Sequence, residues 1–584
     1  MSKAVAAITS ASSAEYFSKN LQQVGFSSYT KAALTTIKEA VDNALDACEE
    51  AGLLPEVVVT VERVGEGAAK GADSVRVRVE DNGPGLGAED VVQVFGEYLS
   101  SSKFGRGRCT RGQQGIGISA VTTWSQLTNA RGAVVITKTA KMRQAISCQI
   151  EVDIKHNKGV LKNKESIDWD RPHGLACEFL IDARIQMQGE GGILAYLNGT
   201  TLVNPHLTLR YKILDNEWVE IPRVTDEAPD IPQATEPHPH TMKLGEFIAH
   251  SHLFGRVTMG AWLKKGFSRI SDGTFTELKQ FGVSKGLLDK SVDATTEEDF
   301  KKVFAGLQRC KLMAPSTKSV LSIGEASLAK SIQRVGQVDF FSVVSRKPAI
   351  CDFKPVLVEV AIARLIDRHL SEENSVMLLR FANRVPLQFD KAACAMTKAV
   401  ESVNWRAYGL NQPKDSLPQG PYIIAVSVVS PFIKFKNASK ETVDASDELV
   451  EEIRRTLIQA GQRLSKHIRR EDKEADLEKK RQHIEQFGPI LVDGACRIVG
   501  AKKERREKAL EGLAKLLGRE AKLAEQELEE AIVHSEAAVL KMAETTGILP
   551  AVVEEKVEEK EELEQLSLKG MEQPTTKKKK KKKK

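Results

Sequence analysis

The chain has 584 residues, 41% hydrophobic and 28% charged, proportions that exclude a collagen-like or wholly disordered protein and suffice for several domain cores. Its formal charge of +6 rests on eight consecutive lysines, Lys577–Lys584; removing those eight takes it to −2, so any nucleic-acid surface in the body is a local patch rather than a global field. No apolar run has the length of a membrane span, Met1–Ser13 lacks a secretory signal pattern, and the eight cysteines include no CxxC pair. A reducing intracellular compartment fits that cysteine usage.

In chain order, Thr30–Glu50 has a helical apolar period, with Leu34, Ile37, Val41, Leu45 and Cys48 on one face. Strands are expected at Glu56–Arg63, Ser74–Glu80, Ala133–Thr139, Ala145–Ile154 and Ala176–Ile181. A glycine-rich stretch, Gly105–Gly117, leads into a helix-compatible Ile118–Trp124. This pattern is an α/β sandwich, not the regular alternation of a doubly wound fold. Asp226–Pro239 reads as a linker, Leu244 to about Ala326 as short helices, and 327–345 as a connector. Strands at Val356–Ala363, Ser375–Phe381 and Tyr422–Val429 mark a second α/β unit. Thr442–Arg470 is helical, 471–548 reads as a long charged helix or helical pair, and 551–584 as disordered.

Three clusters carry chemistry. Glu39, Asn43 and Asp46 sit at i, i+4 and i+7 on one helical face. A glutamate there can take a proton from water, and a carboxamide can hold a hard cation; the bland reading is a solvated helix face. Asp81-Asn-Gly83-Pro-Gly85 follows a strand. Its carboxylate can accept from an exocyclic amine where glycines admit a flat ring, or the segment is simply a Gly/Pro turn. Arg111-Gly112-Gln113-Gln114-Gly115-Ile116-Gly117-Ile118 enters a helix N-terminus, which suits an anion. No G-K-[ST] occurs, so this is not a P-loop.

Together and in this order, the three resemble the GHKL ATPases, the family of gyrase B, MutL, histidine kinases and a heat-shock chaperone class. The resemblance implies ATP and Mg²⁺ as cofactors. It makes Glu39 the general base and Asn43 the magnesium ligand. Asp81 would contact adenine in a pocket shaped by Gly83 and Gly85, and Asp46, Ser102, Lys103, Arg111 and the stretch Gly112–Ile118 would belong to the nucleotide site. Further segments resemble the B subunit of DNA topoisomerase VI: Phe17-Ser-Lys-Asn20, Ser102-Lys103-Phe104, Pro237-His-Pro-His240, Ser322-Ile-Gly-Glu325, Leu379–Pro386, Trp405–Leu410 and Ser439-Lys440-Glu441. In that family a transducer lysine, matching Lys440, reaches the γ-phosphate, with Lys434 and Lys436 as alternatives. Two departures are His173-Gly174-Leu175 where the family reads His-Gly-Thr, with Thr137 as a substitute hydroxyl, and Glu236 in place of a lysine.

The implied architecture is a multidomain α/β protein. It comprises a strap (1–30), a GHKL ATPase sandwich (31–228), a helical helix-two-turns-helix domain (229–326) and an α/β transducer (327–470). A charged helical extension (471–550) and a lysine-rich tail (551–584) follow. The implied function is ATP-driven closure of a dimer gate, coupled to duplex cleavage by a separate A subunit in a two-A, two-B assembly that relaxes and unlinks DNA. No membrane association is expected; the place would be the cytoplasm or nucleoid, or the nucleus in a eukaryotic source. The terminal lysines suit nonspecific DNA attraction, nuclear targeting or solubility. The rivals are a non-catalytic scaffold and a MutL-like or chaperone ATPase. Glu39, Asn43 and Lys440 weigh against the first, and the middle-domain and transducer segments against the second.

Overall fold

The structure is a computed structural model that describes residues 11–101, 107–112, 114–366 and 374–515. Ser102, Lys103, Gln113 and the 551–584 tail lie outside the described residues. Two compact units result, one running to Ala460 and one from Gly461.

The first unit opens with α1 (Ser13–Lys19) and α2 (Tyr29–Glu50). Ser28 caps α2 by accepting the Lys31 N–H, and its apolar face, including Ile37, Val41 and Leu45, is buried. β1 (Glu56–Glu66) and β2 (Asp73–Asp81) follow, then α3 (Ala88–Gly96), α4 (Gly117–Asn129), β3 (Ala133–Lys138), β4 (Ala145–Asp153), β5 (Lys158–Ile167) and β6 (Gly174–Ala183). α5 (Ile193–Val203), β7 (Thr208–Ile213) and β8 (Val219–Ile221) complete this part. The strands form an eight-stranded sheet in the order β5-β4-β3-β6-β2-β1-β7-β8, parallel only at β1–β7. α2, α3 and α4 pack on it, so the sheet has one solvated and one covered face, as the alternating burial of β1 to β4 requires. α1 lies on α4 of its own chain, with Phe17 stacked on Tyr98 at 5.2 Å.

Residues 224–238 carry no regular structure. Five helices follow: α6 (Leu244–Ser251), α7 (Met259–Gly266), α8 (Asp272–Gln280), α9 (Lys285–Asp289) and α10 (Glu297–Arg309). They close around their own core of Phe247, Trp262, Phe267 and Phe300.

The expected connector at 327–345 is instead ordered structure. α11 (Glu325–Ile332) leads into β9 (Val338–Ser345), which pairs antiparallel with the strand Lys354–Leu365. It is an edge strand with Asp339 and Phe341 exposed and Ser342 buried, so no clean apolar alternation marks it. β10 (Ala349–Cys351), β11 (Lys354–Leu365), β12 (Met377–Ala382), β13 (Val385–Leu387), α12 (Ala395–Ser402) and β14 (Tyr422–Val429) complete a second sheet. β11 and β14 are buried almost throughout, hence their continuous Val/Ile runs.

α13 starts at Asp447, five residues later than the expected Thr442. The Thr442 hydroxyl donates to Asp390, and Phe435 bridges Val443, so this stretch is extended. In the second unit α13 continues to Ile498 and a further helical run begins at 503. Gly488 lies against Leu513 and Arg506 pairs with Asp493, which makes the two an antiparallel pair.

Candidate active site

α2 carries one wall of a cleft of about 730 Å³, lined by Glu39, Asn43, Ser100, Ser101, Gly112, Gln114, Gly115, Ile116, Gly117, Ile118 and Lys440. One helical turn separates Glu39 from Asn43, so both reach the same space. The opposite wall is the glycine loop running into α4. Among the described residues no side chain caps the α4 N-terminus, so its leading N–H groups suit an anion. Gly117 leaves room for Glu39: a Cβ there would lie 1.8 Å from Glu39 Oε2 and would displace that side chain. Gly115 has φ +60° and a Cβ would meet the Ser100 carbonyl at 2.9 Å, so loop and helix approach closely only with glycine.

Lys440 enters from the second-sheet region. Its backbone is left-handed, φ +54°, at a non-glycine position, and its Nζ donates to the Arg111 carbonyl at 2.9 Å. Burial lowers its ammonium pKa, with the Glu39 charge opposing that shift. A second cavity of about 410 Å³ shares Glu39 and Lys440 and adds Lys38, Gly25 and Phe389. Lys434 and Lys436 line neither cavity.

Asp81 ends β2, buried, and does not line the cleft. Its Oδ1 accepts the Gly83 N–H at 2.8 Å and the Leu175 N–H at 3.3 Å. Burial pushes its carboxyl up to about 7 despite those bonds. His173 Nδ1 donates to the Gly83 carbonyl at 2.8 Å. Gly85, φ +69°, passes so close to the Lys138 carbonyl that a Cβ would sit at 2.2 Å. The turn packs on Ala47 and Cys48, two helical turns below Glu39. α2 therefore spaces the Asp81 turn from Glu39 by roughly 12 Å along its axis. Leu175 pairs with both Asp81 and Thr137 across the sheet. The Thr137 hydroxyl accepts the Leu86 N–H at 2.8 Å and donates to the Leu86 carbonyl at 3.0 Å, which commits it to the loop.

Two expected nucleotide contacts lie elsewhere. The Arg111 guanidinium is buried in an ion cluster with Asp46, Glu49 and Asn204, and neither Arg111 nor Asp46 lines the cleft. Asp46 accepts the backbone N–H groups of Arg111 at 3.3 Å and Gly112 at 3.1 Å, so it anchors the base of the glycine loop. Arg384 and His206 join the cluster through Glu49. Sequence reasoning missed Glu49, Asn204, His206 and Arg384. The one available signal was the Asn383-Arg384 pair between two strand-like runs.

Comparison with known proteins follows the same lines. Residues 30–156 match the family described as histidine kinase-, DNA gyrase B- and HSP90-like ATPase. Residues 315–480 match the topoisomerase VI B subunit transducer. The chain is 35% identical over 487 residues to the B subunit of type 2 DNA topoisomerase 6 from Archaeoglobus fulgidus, covering 83% of this chain and 79% of that one. The corresponding protein of Methanococcoides burtonii is 36% identical, covering 80% and 73%. That of Pyrococcus abyssi is 29% identical, covering 88% and 96%. A relative above 30% identity, matched over most of both chains and through two separate domains, places the chain in the family of DNA topoisomerase VI B subunits.

Proposed function

We propose that this chain is the ATP-hydrolysing subunit of a type II DNA topoisomerase, and that Glu39, Asn43 and Lys440 are its working residues. The observation that supports this best is the meeting in one cleft of Glu39, from α2 on the first sheet, and Lys440, from the segment that follows β14 of the second. Glu39 orients and deprotonates the attacking water. Lys440 places a positive charge where negative charge grows on the transferred phosphoryl group. The uncapped α4 N-terminus and the Gly112–Gly117 backbone hold the phosphates, and the Asp81 turn takes the adenine.

The donor set also fits Mg²⁺. No His/Cys/Asp/Glu metal cluster occurs among the described residues, and Asn43 offers one carboxamide oxygen. A hard ion held by that oxygen, water and phosphate oxygens needs no protein cage. When bound, it neutralises phosphate charge.

On this reading residues 31–228 are the ATPase domain, 229–326 a helical middle domain and 327–470 the transducer. Asp46 and Arg111 shape the glycine loop rather than touch the nucleotide. Because Lys440 can bond either the Arg111 carbonyl or a phosphate, nucleotide state sets where the second sheet sits relative to α2. That movement drives a separate DNA-cleaving A subunit, in an assembly of two A and two B chains closed by pairing of the B chains. On this reading the strap, about residues 1–30, and the glycine-loop lid make that pairing. No helix of the described residues is long and apolar enough to cross a membrane, and the site of action is DNA. Glu39→Ala tests this: analogue binding within about threefold of wild type, with hydrolysis down about 100-fold or more. Wild-type turnover in that variant would remove Glu39 from the role.

A further inference from the structure

Glu49 lies one helical turn beyond Asp46 on α2, outside the nucleotide cleft. Its carboxylate is gripped by two guanidinium forks. Arg111 reaches Oε1 at 2.6 Å and Oε2 at 3.0 Å; Arg384 reaches Oε1 at 3.0 Å and Oε2 at 2.5 Å. Asp46 takes Arg111 Nη1 at 2.9 Å, and Asn204 Oδ1 takes Nη2 at 2.6 Å. Side-chain exposure is 1% for Arg111, 8% for Arg384 and 11% for Glu49. Two carboxylates and two guanidiniums balance, and His206 adds a bond to Glu49 at 2.8 Å while burial lowers its pKa. Burial alone would raise the Glu49 carboxyl; Arg111 and Arg384 instead hold it well below its ordinary value.

Such a cluster is a poor source of stability, because desolvation offsets most of its attraction, but it is highly selective in geometry. Its members belong to three parts. Glu49 is on the helix that carries Glu39. Arg111 opens the glycine loop. Arg384 sits at the tip of the β12–β13 hairpin, where Asn383 at φ +50° and Arg384 at φ +63° form a tight turn. The hairpin is tied in turn to the strand leading to Lys440: Asn383 N–H donates to the Val428 carbonyl at 2.9 Å, and Asn383 Oδ1 accepts the Ser430 N–H at 2.9 Å. Asn383, Arg111 and Lys440 line one small cavity.

We propose that Arg384 and Glu49 are positioning residues for hydrolysis: they clamp the second-sheet hairpin to α2 and to the base of the glycine loop, and so fix the register in which Lys440 enters the cleft. The inference rests on the role of Lys440 given above. Arg384 touches no reacting atom; it acts through Lys440. The two residues also join α2 to the hairpin over 335 positions of sequence, which makes the clamp a long-range pin between the two sheets.

The test is a double-mutant cycle read in steady-state ATP hydrolysis and in binding of a non-hydrolysable ATP analogue. Arg384→Asn suits the left-handed backbone and removes the fork. It should lower kcat about tenfold or more while the analogue Kd stays within about threefold, because misplacement of a charge costs rate rather than ground-state binding. Adding it to Lys440→Ala should cost less than about threefold further, since both changes break one path. Arg384→Lys, which keeps the charge but not the bidentate geometry, should fall between, and serves if Arg384→Asn lowers the melting midpoint. Multiplying losses in the double variant, or a weakened Kd with unchanged kcat, would overturn the clamp. If Lys440→Ala itself leaves kcat unchanged, the Lys440 role and the clamp fall together. If Lys440→Ala loses turnover and Arg384→Asn does not, only the clamp falls.

Discussion

Glu39 and Gly117 are two halves of one constraint. The space a Gly117 side chain would need is occupied by the Glu39 carboxylate. Gly117→Ala should therefore push Glu39 off its position and lower kcat about as far as Glu39→Ala does, on the order of 100-fold; a turnover within threefold of wild type would show that Glu39 is not held there. Asp81 offers a pH test. Its folded pKa of about 7 stands above the ordinary 3.8, so the fold favours the protonated acid. That contribution is complete below about pH 4 and is lost as pH rises towards 7, at up to about 1.4 kcal/mol per unit. Urea unfolding of wild type against Asp81→Asn should show the wild type losing ground across that window; parallel slopes would contradict the burial argument. The residues of the three clusters were legible because each packs its chemistry into a contiguous motif. Glu49 and Arg384 were not, since an ion pair spanning 335 positions leaves no local pattern. Arg111 and Asp46 were found as site residues, but their sequence positions could not show that their side chains turn to each other and away from the cleft.

At the scale of elements, α2 and the strands with clean alternation were readable to within a few residues. Period-2 burial left its mark on β2 to β4. β5 was missed because it is exposed for nearly its whole length, so no apolar period exists to read. β9 was missed as a half-exposed edge strand. One buried carboxylate joins two elements that the sequence presents as unrelated. Glu359 on β11, fully buried, accepts from Ser322 Oγ at 2.9 Å, Ile323 N–H at 3.0 Å, Gly324 N–H at 3.0 Å and Ser345 Oγ at 2.9 Å. It holds the turn that begins α11 against the second sheet. Glu359→Ala would strand these donors, and the unfolding free energy should fall by about 3 kcal/mol or more. A loss under about 1 kcal/mol in chemical denaturation would mean that water replaces the carboxylate at no cost.

At the scale of the whole molecule, the first unit joins a nucleotide cleft on one sheet to a lysine delivered from another, with the Glu49 clamp beside it. On the proposed mechanism, hydrolysis and domain position are two readouts of one contact set. The first unit holds three hydrophobic cores, one on the eight-stranded sheet, one among α6 to α10 and one on the second sheet, and the domain bounds read from composition shifts and motifs stand as a proposal beside them. The meeting of domains was legible only through resemblance, since no propensity records which sheet edge will face which cleft. The most direct test is ATP hydrolysis by this chain and by Glu39→Ala, with the candidate A subunit and supercoiled DNA in the same tube. Hydrolysis and relaxation that both vanish in Glu39→Ala, while nucleotide still binds, is the result expected of an ATP-driven topoisomerase subunit. Relaxation that persists in Glu39→Ala, or hydrolysis with no relaxation by any matched A subunit, would contradict it.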